Sequence, residues 1–445
     1  MMRARIGQFF GVVAQVLFVL LVGLPSSAWG QGVALTAVGP VNRSMGGAAT
    51  ACPLDAAGTI HWNPAAISGL PASEMTMGME LILPSSELAS RVNAGALGQG
   101  FPPIDLSGVT RSEPGVTPVP YMAFVRKSSD SPWSYGLGLY GIGGFSVNYP
   151  ASTTNPILTP HPPVGLGMGR ISASLELMQI APTLSYALSP GLSIGFAPTV
   201  TLGRLIADPL FLASPDDANG DGFANYPSGA GTRYHWGGGF QVGVYYITDR
   251  DWHFGASLKS PQWMEEIRWK TADEVGLPRT ATFKLDYPLI VSLGAAYTGW
   301  ENYVIACDVR YFDYANTEGF REAGFGPDGA LRGLGWNSVL GVSAGIQRRL
   351  GERASVRLGY SFGENPVACA VSAFNVASPL IVQHVLYLGA SYDVSDNWTF
   401  SVAYMHAFEN RVSGPICTGL GPIPGTSVTS IASADVINAG LTARF

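Results

Sequence analysis

The last nine residues, Ile437-Asn438-Ala439-Gly440-Leu441-Thr442-Ala443-Arg444-Phe445, decide the fold. Ile437, Ala439, Leu441, Ala443 and Phe445 share one face of an extended chain, and Asn438, Gly440, Thr442 and Arg444 share the other. The alternation recurs without a miss in Val356–Phe362 and again in Trp398–Tyr404. A period of two signals strands, but a water-soluble sandwich alternates as well.

Composition separates the two. Charged residues are 13% of the chain, about half the usual share of roughly 25%. Glycine (56 residues) and proline (32) discourage helices throughout. Aromatics at 11% and a net charge of −6 argue against disorder. With 25 Lys+Arg against 31 Asp+Glu there is no basic surface for nucleic acid. A helical membrane bundle needs several apolar runs of about 18–20 residues, and the sequence offers one. What remains is a β-protein whose outer face meets lipid.

The single apolar run, Phe9–Leu24, follows Arg3 and Arg5 and precedes Pro25 and Ala28-Trp29-Gly30. That order describes a secretory signal peptide over residues 1–30, cleaved near Gly30. An uncleaved anchor is opposed by the shortness of the run and by Pro25. Export into an oxidising envelope makes a disulfide between Cys369 and Cys417 plausible, since both lie in Pro/Gly/Ser-rich segments. Cys307 lies within a strand and is expected to pack as a small apolar side chain. Cys52 is too far from the apolar run to be a lipoprotein cysteine.

Turn lengths alternate. Short connections at Ser128–Ser131, 189–191, 249–251, 299–301, 351–353 and 395–397 separate long stretches at Pro84–Val116, Asp208–Gly231, Thr317–Arg332, Gly363–Pro379 and Arg411–Thr429. Short turns at one end and long loops at the other mark an outer-membrane barrel of about fourteen strands. The fold class is therefore all-β, a transmembrane antiparallel β-barrel over residues 73–445. Aromatic residues at strand ends suit an interfacial girdle: Trp133, Tyr135, Tyr149, Tyr245, Tyr246, Trp252, Tyr297, Trp300, Tyr303, Tyr311 and Trp398. Strands as long as Arg170–Leu188 should project beyond the membrane. Residues 31–72 lack the period of two and are rich in small side chains, which suits a plug, or hatch, in the lumen.

On several motifs the chain resembles the FadL-type outer-membrane transporters of long-chain fatty acids and related hydrocarbons. Gly46-Gly47-Ala48, Asp55-Ala56-Ala57 and Asn63-Pro64-Ala65 followed by Leu70 resemble that family's hatch. Tyr287-Pro288-Leu289, Asp308-Val309-Arg310-Tyr311, Arg357-Leu358-Gly359-Tyr360, Asn365-Pro366 and the terminal Phe445 add to the likeness. One departure is Gly47, where the family often carries arginine. The resemblance implies a monomeric passive carrier for a hydrophobic small molecule. It implies a pocket against the hatch, a shift of the hatch N-terminus, and lateral release at a kink in the third strand. Here that strand is Trp133 to about Tyr149, with Gly141, Gly143 and Gly144 as candidate positions for the opening.

Asn63-Pro64 also reads independently as a tight turn closing the plug. Arg357, Arg310, Lys259 and Lys284 are candidates to meet a fatty-acid carboxylate, although such residues more often pair with lumenal Asp or Glu. Thr442, Asn438, Ser361 and Arg357 are expected to face inward. Asp217-x-Asn219-x-Asp221-Gly222 begins like a calcium loop, but position twelve is Ser228, so calcium and a plain polar external loop both remain open. No other cofactor is implied. Gly136–Gly141 matches a dinucleotide fingerprint and Gly191–Gly195 a nucleophile elbow, yet neither has the required helix, and no catalytic constellation is evident. Expected partners are outer-membrane lipid and the barrel-assembly machinery. The rival readings are a porin for polar solutes and a structural or adhesive barrel.

Overall fold

The computed structural model describes residues 31–98, 105–128, 130–418 and 421–445, so the expected signal peptide lies outside the described residues. Fourteen antiparallel strands follow one another around a closed barrel. They are β1 Glu74–Val92, β2 in two segments (Leu106–Arg111 and Thr117–Lys127), β3 Trp133–Tyr149, β4 Ile171–Ser189, β5 Leu192–Asp208, β6 His235–Ile247 and β7 Trp252–Lys259. β8 Ile290–Trp300, β9 Tyr303–Phe312, β10 Val339–Leu350, β11 Ala354–Gly363, β12 His384–Asp393, β13 Trp398–Gly414 and β14 Thr426–Arg444 complete it. Closure comes from β14 pairing with β1 over the full length from Glu74↔Arg444 to Val92↔Thr426. A sheet in lipid must close, because an open edge would leave backbone groups without partners.

The period of two maps onto the wall as the C-terminal segment requires. Ile437 (52% exposed) and Leu441 (42%) face outward, while Asn438 and Thr442 are buried inside. Ser361 and Arg357 are likewise buried. On β1 the outward side chains are apolar from Met75 to Leu83 and turn polar at Ser85 and Glu87. The strands therefore rise above the apolar band.

Four expectations are corrected. The stretch Pro84–Val116 is not one loop: β1 runs through Pro84 to Val92, and Leu106–Arg111 pairs with its upper end. Proline fits there because pairing with β2 lapses between Ile82↔Thr117 and Glu87↔Arg111, leaving no donor to supply. Among the expected girdle residues, Tyr149 and Tyr245 are buried and point into the barrel. Cys307 lies on the exposed outer face instead of packing inside, and Cys369 and Cys417 are both free, so the expected disulfide is not formed.

Before β1, the chain forms a buried segment with helices α1 (Gly39–Ser44) and α2 (Ala56–Trp62) and a 3-10 turn, Pro64–Gly69. It fills the lumen and touches strands around the whole circumference. The contact is close because glycine meets glycine. Gly46 (φ +68°) and Gly47 (φ +86°) turn the chain in the left-handed region. A Cβ on Gly359 of β11 would overlap the Gly46 backbone nitrogen.

Candidate functional site

Above the hatch lies a cavity of about 60 Å3. Its lining comes from the upper strands (Phe145, Leu175, Leu205), from the hatch (Val33), and from the long loops (Phe211, Phe320, Trp336). Among its described lining residues, Ser378 is the polar exception. The Trp336 indole N–H is already donated to Asn375 Oδ1 (2.6 Å). Such a chamber can hold an apolar molecule by removing its surface from water, at roughly 25 cal/mol per Å2. It offers little to a polar one.

The floor of this chamber is also a partition against the wall. Val33 lines the cavity, and its carbonyl accepts the Gly144 N–H of β3 (3.2 Å). Leu35 N–H donates to Ile142 O (2.9 Å), and Tyr287 OH donates to the same oxygen (3.1 Å). From the loop after β9, Tyr314 OH donates to Gln31 O (2.8 Å) and accepts the Ala34 N–H (3.3 Å). The hatch tip, residues 31–36, thus bridges the chamber and one strand.

That strand leaves the barrel plane. Outward exposure on β3 persists through Trp133, Tyr135, Leu137 and Leu139, after which Gly141, Ile142 and Gly143 are buried. Pairing with β4 slips between Gly141↔Met178 and Gly143↔Leu177, so Ile142 is an inserted residue and the strand bends at a bulge. On its other side, pairing with β2 stops at Met122↔Leu139. Sequence reasoning found these glycines but missed the partner's share. The β1–β2 ladder continues through Pro118 and Pro120. Alternate residues of an antiparallel strand donate to each neighbour, so these prolines occupy the positions that turn toward β3. They have no N–H to give it. The gap ends higher up, where Asn148 N–H donates to Ser112 Oγ (2.8 Å) and Asn148 O accepts the Glu113 N–H (2.8 Å).

Asp55, Asn63 and Pro64 each hold a local turn of the hatch. Asp55 Oδ1 accepts the Gly58 N–H (3.2 Å) and caps α2. Asn63 Oδ1 accepts the Ala65 N–H (3.0 Å), while its Nδ2 donates to Thr50 O (2.7 Å) and to Val244 O on β6 (3.0 Å). Pro64 opens the 3-10 turn, where a missing N–H costs nothing. Ala65 O accepts from Ser185 Oγ of β4 (2.9 Å).

The four proposed carboxylate partners do not converge on the chamber. Arg310 pairs with Asp308 beneath it, and Lys259 is buried beside Trp62 with its Nζ 3.4 Å from His61 Nδ1. Arg357 donates to Gln347 Oε1 and Ser391 Oγ (both 2.7 Å), and Lys284 turns to Asp286 (3.2 Å) and Met264 O. Asp217, Asn219 and Asp221 stay local: Asp217 Oδ2 accepts the Gly222 N–H (3.1 Å), and Asn219 Oδ1 accepts the Asp221 N–H (2.9 Å). Among the described residues no group of three His, Cys, Asp or Glu side chains is placed to hold a metal.

A model of the outer membrane protein transport family (OMPP1/FadL/TodX) matches residues 19–445. The chain belongs to this family. No curated protein matches it by sequence. Solved structures share the fold at low identity. The toluene transporter TodX of P. putida aligns with a TM-score of 0.66 at 16% identity, covering 92% of this chain and 99% of its own. A Pseudomonas aeruginosa FadL homologue gives 0.69 at 12%, covering 93% and 100%. The Ralstonia pickettii toluene transporter TbuX gives 0.64 at 14%, covering 92% and 99%. Membership of this outer-membrane family makes the barrel, its plug and its bent third strand parts of a transport protein. It does not choose the cargo.

Proposed function

We propose that this chain, exported with residues 1–30 removed, carries neutral hydrophobic small molecules passively across the outer membrane and releases them sideways between β2 and β3. The observation that carries the reading is the double contact of Val33. Its side chain lines the apolar chamber, while its backbone pairs with the inward bend of β3. A cargo that pushes the tip aside would loosen the one stretch of wall that β2 does not close. A fatty-acid carboxylate brought into this chamber would lose water without gaining a cation, which favours hydrocarbons over acids. TodX and TbuX carry the name of a neutral aromatic cargo.

The test is uptake by proteoliposomes of a labelled aromatic hydrocarbon, a long-chain fatty acid and a sugar. The hydrocarbon should be accelerated most and the sugar not at all. A cysteine pair, Val119→Cys with Gly141→Cys, joins β2 to β3 where the Val119 side chain reaches Gly141. Oxidation should block hydrocarbon uptake, and reductant should restore it. Uptake equal to that of empty vesicles for both apolar probes would end the proposal.

A further inference from the structure

The outer wall over β5 to β7 changes character at one height. Outward side chains on β5 run Ile194, Phe196, Val200 and Leu202 before Arg204. On β6 they run Val244, Val242 and Phe240 before Trp236 and Tyr234. Leu202 pairs with Trp236, so the two changes coincide. Beyond β7 the wall continues upward: Met264 and Trp263 pair with Gly237 and Gly238 of β6, and a hairpin follows, Ile267–Ala272 against Pro278–Phe283. Its inner residues Ile267, Trp269 and Ala281 are buried, and Trp269 Nε1 donates to Leu205 O (3.1 Å), which fastens the hairpin to β5. Its other face presents Arg268, Lys270, Thr280 and Thr282, all exposed.

The cations of this face are loosely held. Arg204 lies over the Tyr234 ring at 5.7 Å, and neither it nor Lys270 forms an ion pair among the described residues. Arg233 pairs with Glu265 (3.2 Å) and Arg268 with Glu266 (3.6 Å), but all four side chains are exposed. Exposed pairs contribute little and yield to a better acceptor. Below them the rings of Trp236, Trp263 and Tyr234 are exposed, as suits the level of lipid headgroups. The chain as a whole carries a net charge of −6, so four cations over three rings are a local feature. The outer face of β13 and β14 carries instead Asp435, bonded to His406 (2.8 Å).

We propose that Arg204, Arg233, Arg268 and Lys270 form a docking site for the phosphorylated sugar headgroup of an outer-leaflet glycolipid. Phosphates take charge-assisted hydrogen bonds from the cations, and the three rings lie where the headgroup meets its acyl chains. Basic clusters at a membrane edge bind anionic headgroups in this way. Arg268 and Lys270 alone are about 7 Å apart along their strand, so a headgroup with more than one phosphate meets more of the cluster than a single phosphodiester can. The site depends neither on which cargo is carried nor on where it leaves.

The whole protein in detergent, titrated with bisphosphorylated lipid A and read by native mass spectrometry, should bind the lipid saturably. Arg204→Gln with Arg268→Gln and Lys270→Gln should weaken binding about tenfold or more. Arg411→Gln removes the same kind of charge from the outer face of β13 and should leave binding unchanged. Dephosphorylated lipid A and phosphatidylglycerol should both bind more weakly than lipid A, by about tenfold. The proposal is overturned by a triple variant that binds like the parent, by an equal loss in Arg411→Gln, or by either comparison lipid binding as well as lipid A. Inorganic phosphate that displaces lipid A at equal concentration would also overturn it, since the site would then serve a soluble anion. Should the triple variant lose its heat-modifiable migration, Arg268→Gln with Lys270→Gln, both on the hairpin, is judged by the same outcomes.

Discussion

Asn63 joins three pieces of chain with one side chain: the turn at Thr50, the start of the 3-10 turn at Ala65, and the wall at Val244. Replacing it removes all three bonds, including those to the Thr50 carbonyl and the Ala65 N–H inside the hatch. Asn63→Ala should therefore cost about 2–4 kcal/mol, read as a lower urea midpoint for loss of heat-modifiable barrel in detergent. An unchanged midpoint would mean the three bonds contribute nothing. This residue was legible in the sequence because its chemistry is local: Asn before Pro signals a turn wherever it occurs. Gly46 and Asp55 were legible for the same reason. Glu74, Glu80 and Asp308, which accept hatch N–H groups from the wall, were not, because each acts on backbone far away in sequence, and only barrel closure shows which N–H a carboxylate meets. The four basic residues singled out for a ligand carboxylate fail in the opposite way. They were chosen for what their charge can do, but their positions commit them to the hatch, to neighbouring strands and to other loops.

At the level of the element, β3 bends and β2 lets it go. Glycines at 141, 143 and 144 were visible as a weakness in one strand, but a strand with two neighbours leaves the sheet only if one neighbour releases it. Pro118 and Pro120 withhold the two donors that would continue the β2–β3 ladder beyond Met122↔Leu139. The chamber shows the same limit of sequence reading at the level of loops. Phe211 and Phe320 lie in long connections between strands, and Trp336 in the same connection as Phe320, yet all three fold down to line the cavity. Their apolar character, unusual for exposed turns, was the available signal. Restoring the donors tests the role of β2 directly. Pro118→Val with Pro120→Val should extend the ladder, slow amide exchange in β3 around Tyr140, and lower hydrocarbon uptake several-fold. Faster uptake, or unchanged exchange, would show that the glycines alone make the opening.

For the whole molecule the question is which surface meets which solvent. A charged share of 13% would be too low for a water-soluble protein of this length, but it suits a barrel whose middle faces hydrocarbon. The ionised groups then concentrate in the hatch, in the lumen and in the rims, where they find partners or water. Position along a strand should therefore set the cost of an added charge, which a soluble sandwich would not show. On β12 the outward side chains are His384, Leu386, Leu388, Ala390 and Tyr392. Leu388 (47% exposed) is at the centre of this row and His384 at its upper end, hydrogen-bonded to Tyr360 OH (2.6 Å). Arginine at the midplane of a lipid-facing wall costs about 2–4 kcal/mol, and near an interface about 0–1. Leu388→Arg should accordingly lower unfolding stability in lipid vesicles by the larger amount, and His384→Arg by the smaller. In detergent micelles, whose apolar layer deforms more easily around a charge, the difference should shrink. Equal costs at the two positions would place the apolar band elsewhere on the wall. The level at which β3 opens would then have to be reassigned with it, since the gap above Leu139 releases cargo into lipid only if that height lies within the band.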